Sequence, residues 1–261
     1  MMLLRILVVF QIVASAALVL VGSLAEAYGY GLSLGTSWPY RKDIFPLARK
    51  GDPEAWHRII ATFAGANALL LAALARDVNT TSGLALIVVT ALLGLATLNV
   101  LAGKAPAFFH GLHEALAYCT LCAYLCEALS GSPSMWSLLE ETASLRALLL
   151  MVFLGGMVTG QRGFKSPIGA FIVPRTKAQW MFALHLAGYV GLLLTLAYFA
   201  GPFSAAFLFA LLQVLLGFAL YQSVNARPGT PGIITVFHQL MSLLIFLSLV
   251  FAWGIRVGLL G

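Results

Sequence analysis

The sequence predicts an all-α integral membrane protein with eight transmembrane helices arranged as two pseudo-symmetric four-helix bundles. Of the 261 residues, 61% are hydrophobic and only 9% are charged, against roughly 25% charged residues in an ordinary soluble domain. The mean hydropathy is +0.96, and the apolar runs are long enough to cross a hydrocarbon core of roughly 30 Å. These runs lack the two-residue alternation of a membrane barrel. Because backbone polar groups in lipid must be satisfied within the segment, we expect helices.

Apolar windows bounded by charged residues, Pro and Gly place the helices along the chain. The expected spans are 3–25, 54–75, 83–103, 106–129, 145–161, 178–200, 203–224 and 232–256. The first run is longer than the apolar core of a signal peptide, roughly 7 to 15 residues, so we expect it to be retained. Tight turns alternate with the longer connections 26–53, 130–144 and 162–177, which predicts antiparallel hairpins.

The two halves resemble copies of one four-helix unit. Leu92-Leu93-Gly94 in the third helix corresponds to Leu215-Leu216-Gly217 in the seventh. Since each copy has an even number of helices, both enter the membrane from the same side and are related by an axis along the membrane normal. We therefore divide the chain into an N-terminal four-helix bundle, residues 1–129, and a C-terminal four-helix bundle, residues 130–261.

Histidines repeat with the bundles. In both halves a histidine follows a proline by seven positions: His113 follows Pro106, and His238 follows Pro231. A single histidine inside a membrane helix is more often a hydrogen-bonded packing residue. Two matched pairs, all within about two helical turns of one membrane surface, instead favour bis-histidine ligation of two hemes. The predicted iron ligands are His57, His113, His185 and His238.

Other ligands and metals are less favoured by the pattern. Small residues on the same helical faces leave room for a planar macrocycle, although small residues line most membrane helix interfaces. Zinc fits less well, because no carboxylate or thiolate repeats at the same spacing. His110 lies one turn before His113 and stays an alternative ligand. Cys119, Cys122 and Cys126 fall in one apolar run and are expected to be packing residues.

The halves differ beside the first histidine. Glu54 and Arg58 flank His57, whereas apolar residues hold the matching positions of the second half, Phe182 and Leu186. Glu54 shares a helical face with His57, so its carboxylate can approach a bound macrocycle and move protons. The alternative for Glu54 is a carboxylate favoured in the first turn of a helix.

These residues resemble the heme A synthase family of cytochrome oxidase assembly proteins over essentially the whole chain. The resemblance rests on Gly31-Leu32-Ser33 with Trp38-Pro39, on Glu54-Ala55-Trp56-His57-Arg58, on Gly94 through Val100, and on the later histidines. Many bacterial members carry a cysteine pair in the first long loop, where this chain has Leu34 and other residues. A thiol role in that loop is therefore absent.

The resemblance implies an oxidoreductase that oxidises a methyl substituent of heme O to a formyl group, giving heme A, with water as the oxygen source. His57 and His113 would hold the substrate heme, and Glu54 would take part in proton transfer. His185 and His238 would ligate a heme b cofactor that relays electrons. Implied partners are membrane lipid, heme O, heme O synthase and an electron acceptor of unknown identity. The protein would be multi-pass in the cell (plasma) membrane, and a homo-oligomer stays open.

The net charge of +6 does not indicate nucleic-acid binding, because the basic residues lie in short membrane loops. On the histidine side they are Arg41, Lys42, Arg49, Lys50, Lys104, Arg162, Lys165, Arg175, Lys177 and Arg227; the other side has Arg5, Arg76, Arg146 and Arg256. The positive-inside rule then puts the histidines near the cytoplasm, whereas the resemblance implies the outer side. Heme propionates need cationic partners, which Arg58 and loop bases supply, so we expect the outer side.

Two other functions fit the same ligands. One is a diheme b-type membrane cytochrome in quinol-linked electron transfer, and the other is a non-catalytic heme-binding subunit for oxidase assembly. Neither needs an acid–base group beside the heme. The presence of Glu54 in one half only therefore favours the enzyme.

Overall fold

The structure, a computed structural model, describes residues 2–38, 43–129, 134–201 and 204–260. Pro39, Arg41 and Lys42, which the sequence analysis singled out, lie outside the described residues. In these ranges the helices are α1 (Met2–Ala27), α2 (Ile44–Arg49), α3 (Pro53–Ala75), α4 (Val78–Leu101), α5 (Phe108–Ala128), α6 (Met135–Glu141), α7 (Ala143–Arg162), α8 (Lys177–Phe199), α9 (Ala205–Ala226) and α10 (Ile234–Arg256).

Caps set where the long helices begin. Asp52 accepts a hydrogen bond from the backbone of Ala55 at 3.1 Å and is followed by Pro53, a residue suited to a first helical turn. Asp77 caps α4 in the same way. The cap explains why α4 begins at Val78 rather than at the predicted residue 83. The short helices α2 and α6 lie in segments that were predicted only as connections.

The predicted fold class, an all-α integral membrane protein, is confirmed, but the span count is seven rather than eight. Within the described ranges, seven helices are long and apolar enough to cross a membrane. The exception is α5, which has 21 residues and whose hydropathy is lowered by His110, His113, Glu114 and Glu127. Because α5 packs against α1, α4 and α7, its polar side chains face protein, where such groups are tolerated.

Helix contacts follow the chain order within each half. In the first half α1 packs on α3, α3 on α4, α4 on α5, and α5 back on α1. In the second half α7, α8, α9 and α10 close a ring in the same order. The two rings meet through α5 with α7 and through α1 with α10. The division into domains at residue 129 stays a prediction.

Glycines bring α5 and α7 into close contact where the two rings meet. A methyl group on Gly111 would lie 2.4 Å from the carbonyl oxygen of Phe153, and one on Gly156 would lie 2.8 Å from the Cα of Gly111. Gly156 and Gly160 are spaced as in the small-residue motifs that let membrane helices approach. The two halves are therefore joined through backbone contact as well as side chains.

Candidate functional site: four histidines against four glycines

Each predicted histidine ligand is packed against a glycine of the preceding long helix. The pairs are Gly22 with His57, Gly94 with His113, Gly155 with His185, and Gly217 with His238. A methyl group on any of these glycines would lie 3.3 to 3.4 Å from the ring Cε1 and 3.5 to 3.8 Å from Nδ1. The same contact thus recurs in four hairpins, α1 with α3, α4 with α5, α7 with α8, and α9 with α10.

One histidine ring also contacts a backbone carbonyl one turn before its glycine. The Nδ1 of His113 lies 2.9 Å from the carbonyl oxygen of Thr90, four residues before Gly94. The buried Nδ1 atoms of His57, His185 and His238 have no hydrogen-bond partner among the described residues. An imidazole whose Nδ1–H is directed to a carbonyl presents Nε2 to a metal.

Sequence reasoning found the histidines but missed two of the four glycines, Gly22 and Gly155. A usable signal exists, because each glycine follows two large apolar residues, as in Leu20-Val21-Gly22 and Phe153-Leu154-Gly155. Among the four hairpins, the triplet is identical only in the third and seventh helices, Leu92-Leu93-Gly94 and Leu215-Leu216-Gly217, where the sequence comparison matched it. The structure shows that the contact repeats in every hairpin.

The first pair of imidazoles has a separation suited to one metal between them. The ring centroids of His57 and His113 are 6.5 Å apart, with ring planes at 58°. Metal–imidazole bonds of about 2.0 Å, with each ring centre about 1.1 Å behind its nitrogen, place two opposed rings about 6.2 Å apart. The separation of the N-terminal pair would therefore accommodate one heme iron held by both imidazoles.

The second pair is arranged differently. The ring of His185 lies 6.4 Å from that of Tyr189. The Nε2 of His238 is 3.2 Å from the side-chain nitrogen of Gln213. The two imidazoles of this pair also suit a heme, but Nε2 of His238 is in contact with the Gln213 amide.

His110 does not belong to the repeated contact. Its Nε2 lies 3.0 Å from Oε1 of Glu114, and its ring centroid is 5.7 Å from that of Phe164. Its Cβ packs where Gly160 has no side chain. The geometry thus includes His113, and not His110, among the four matched histidines.

A buried ion pair beside this site was not predicted. Arg162 donates to Oε1 of Glu26 at 3.3 Å, and it also donates to the carbonyl oxygens of Ser166 and Pro228 at 2.9 and 3.0 Å. Thr159 donates to the same Glu26 oxygen at 3.4 Å. The pair connects α1 of one half to α7 of the other. In the sequence, Glu26 and Arg162 carry opposite charges near the ends of two corresponding helices. That correspondence is the feature of the sequence that indicates the pair.

Glu54 and Arg58 lie together, with the first loop folded onto them. Glu54 is 6% exposed, and its Oε2 accepts hydrogen bonds from the Ser33 hydroxyl at 2.9 Å and the Leu34 amide at 3.3 Å. Arg58 pairs with the other carboxylate oxygen and donates to the carbonyl of Ser37. The Gly-Leu-Ser and Glu-x-x-His-Arg segments, far apart in sequence, are therefore adjacent in space, and the observed contacts of Glu54 hold the loop.

Neither the family models nor the curated proteins contain a match to this chain. Among the described residues, no group of three or more His, Cys, Asp or Glu side chains is placed to hold a metal ion. The fold and site therefore define a class, a multi-pass α-helical membrane protein with four matched, partly buried histidines. Any narrower assignment rests on the chemistry of those histidines.

Proposed function

We propose that the four histidines ligate two hemes and that the protein is a heme A synthase. The observation that carries the heme-binding part is the repeated glycine–histidine contact, because four independent packing histidines have no reason to share one geometry. The 6.5 Å separation of the His57 and His113 rings supports a metal between them. The synthase part rests on the sequence resemblance together with the pairing of Glu54 and Arg58 beside one histidine pair only.

In this proposal His57 and His113 hold heme O as the substrate, and His185 and His238 hold a resident heme b. Conversion of a methyl to a formyl group takes up one water and releases four electrons and four protons. When bound, heme b supplies a one-electron redox centre through which electrons leave toward an acceptor of unknown identity. The chain's own residues bind and orient the substrate.

Glu54 is proposed to take up protons released near the substrate. Its carboxylate lies one turn before His57 and is buried, where a carboxylate can be tuned for proton transfer. Arg58 is proposed to pair with a heme propionate. Since Arg58 already contacts Glu54 and the Ser37 carbonyl, propionate binding would share the guanidinium rather than replace those contacts, which the five donors of arginine allow.

A diheme b-type cytochrome is the second candidate. The observation that favours it is that both oxygens of Glu54 are already occupied by Ser33, Leu34 and Arg58, which suits a loop anchor. A non-catalytic assembly subunit would need the same ligands and no proton-transfer group. All three candidates place a heme protein in the cell membrane, with heme O synthase as a partner only for the synthase.

Co-expression with a source of heme O separates these candidates. Pigment extracted from the purified protein should contain heme A and heme b if the proposal holds. Glu54→Ala should retain both heme sites and lose conversion, whereas His185→Ala or His238→Ala should deplete heme b. Bound heme O that is never converted refutes the synthase and leaves the cytochrome. Conversion that persists in Glu54→Ala refutes the assigned role of Glu54.

The side of the membrane is tested separately. Reporter domains fused within residues 162–177 should be active only when the reporter works outside the cytoplasm. Activity of a cytoplasmic reporter alone would overturn the orientation adopted from the family resemblance and restore the positive-inside assignment.

A further inference from the structure

Gln213 of α9 engages the nitrogen of His238 that iron ligation requires. The Gln213 side-chain nitrogen lies 3.2 Å from Nε2 of His238 and donates to the Ser242 hydroxyl at 2.9 Å. Gln213 is 3% exposed, and among the described residues its amide oxygen has no hydrogen-bond partner. The Tyr118 hydroxyl lies beside Ser242, also without a regular hydrogen bond. The amide is therefore built into the helix interface.

This contact sets one hairpin apart from the other three. Gln213 lies one turn before Gly217, at the position that Leu18, Thr90 and Met151 hold in the other hairpins. None of those side chains carries an amide. Among the described residues, only the histidine of α10 has its Nε2 in a hydrogen-bond contact with a side chain of the facing helix. The two histidine pairs are thus unequal at the ligating atom itself.

We propose that Gln213 slows heme loading of the C-terminal pair and so directs incoming heme first to the N-terminal pair. This inference rests on the proposed heme function. While Nε2 of His238 accepts a hydrogen bond from the amide, its lone pair is not available to iron. If the amide is turned round, Nε2 is protonated and equally unavailable.

Loading therefore requires the amide to leave both His238 and Ser242. Two hydrogen bonds toward the lower end of the ordinary net strength correspond to roughly a tenfold effect on the loading rate. Release of a heme already bound to His238 breaks the iron–imidazole bond and does not involve these two hydrogen bonds. The C-terminal pair then loads slowly, and incoming heme is ligated first by the N-terminal pair, the proposed substrate site.

The test uses two full-length variants that each retain one pair. His185→Ala leaves the N-terminal pair, and His57→Ala leaves the C-terminal pair. Each is purified without heme in detergent and mixed with ferric heme b, and the shift of the Soret band is followed by stopped flow. The C-terminal pair should load about tenfold more slowly. Gln213→Met is then added to His57→Ala, since methionine stands at the matched position of α7, Met151. This second substitution should raise the loading rate about tenfold and leave the rate of heme loss to a scavenging globin unchanged.

Gln11→Met is the matched control, since Gln11 is a fully buried glutamine that accepts from Asn67 at 2.8 Å. It lies eleven residues before Gly22, about 16 Å along the helix, and its replacement should leave loading unchanged. Gln213→Leu, checked by circular dichroism and gel filtration, guards against a folding defect in one variant. Unchanged loading in both folded Gln213 variants, or faster heme loss from them, overturns the inference. Absence of any Soret shift in the unaltered chain refutes the heme function itself.

Discussion

Replacing Gly94 by Ala tests the glycine–histidine contact at the pair that is best placed for a metal. The new methyl group would lie 3.4 Å from Cε1 and 3.8 Å from Nδ1 of His113, while carbon atoms at optimal separation are about 3.5 to 4.0 Å apart. The ring must therefore move by about 0.3 Å. Such a shift stretches the 2.9 Å contact between Nδ1 and the Thr90 carbonyl, which contributes about 1 kcal/mol when well formed.

Losing about half of the free energy that this hydrogen bond contributes corresponds to a two- to threefold weaker affinity for heme at the N-terminal pair. Gly94→Val adds two further methyl groups against the ring and should abolish low-spin ligation at that pair. The measurements are heme titration of His185→Ala background protein by Soret absorption, and the low-spin electron paramagnetic resonance signal of ferric heme, which reports ring orientation.

Gly191→Ala provides the control for the helix itself. Gly191 is in α8 with no atom within 4 Å of a built methyl group, so Ala should add helix propensity of about 0.8 to 1.0 kcal/mol without touching a histidine. Thermal stability should rise and both heme signals should stay as they are. If Gly94→Ala and Gly94→Val behave like Gly191→Ala, the glycine contact does not orient the ligand and the central argument for heme binding fails.

Three further predictions concern α5 and its contacts. His110→Leu should retain both hemes whereas His113→Leu loses one, as counted by the pyridine hemochrome; loss with His110→Leu would make that residue the ligand. Arg162→Met should lower the free energy of unfolding by about 3 to 5 kcal/mol, because it leaves the Glu26 carboxylate buried and unpaired. Adding Glu26→Gln should restore part of that free energy. Equal stability of the single and double variants would show that the pair is not coupled. Gly111→Ala should cost about 1 to 3 kcal/mol, since its methyl group meets a backbone carbonyl at 2.4 Å; an unchanged melting temperature would mean that α5 and α7 are farther apart.

The fold could be predicted from the sequence wherever a chemical boundary marks a helix. The spans 54–75 and 178–200 differ from α3 (Pro53–Ala75) and α8 (Lys177–Phe199) by one residue at most at each end, because caps and charges stand at those ends. Apolar windows do not register a polar first turn, so the start of α4 at Val78 was missed. They also pass over helices as short as α2 and α6.

Only the site residues that residue type and spacing distinguish could be predicted from the sequence. The histidines are unusual in apolar helices and repeat at matched intervals, so they could be found. Gly22 and Gly155 share the pattern of two large apolar residues before glycine, but glycine is common in membrane helices, and only the register between helices shows which one faces a ring. Gln213 was missed for the same reason. The pairing of Glu26 with Arg162 joins residues 136 positions apart, which no local pattern contains.

The composition of α5 has a consequence for how the protein enters the membrane. Charged side chains at a helix centre oppose insertion by about 2.5 to 3.5 kcal/mol each on the scale measured for single segments. The two histidines and two glutamates of α5 lie nearer its ends, where the cost per residue is smaller but still opposes insertion. A segment of this kind gains little from lipid and much from helices already in place. Six residues separate the end of α4 from the start of α5, so the two helices can insert together as a hairpin. Membrane insertion of the segment that carries His113 then depends on α4. A substitution that disrupts α4 would therefore give a chain with altered topology rather than a weakened heme site.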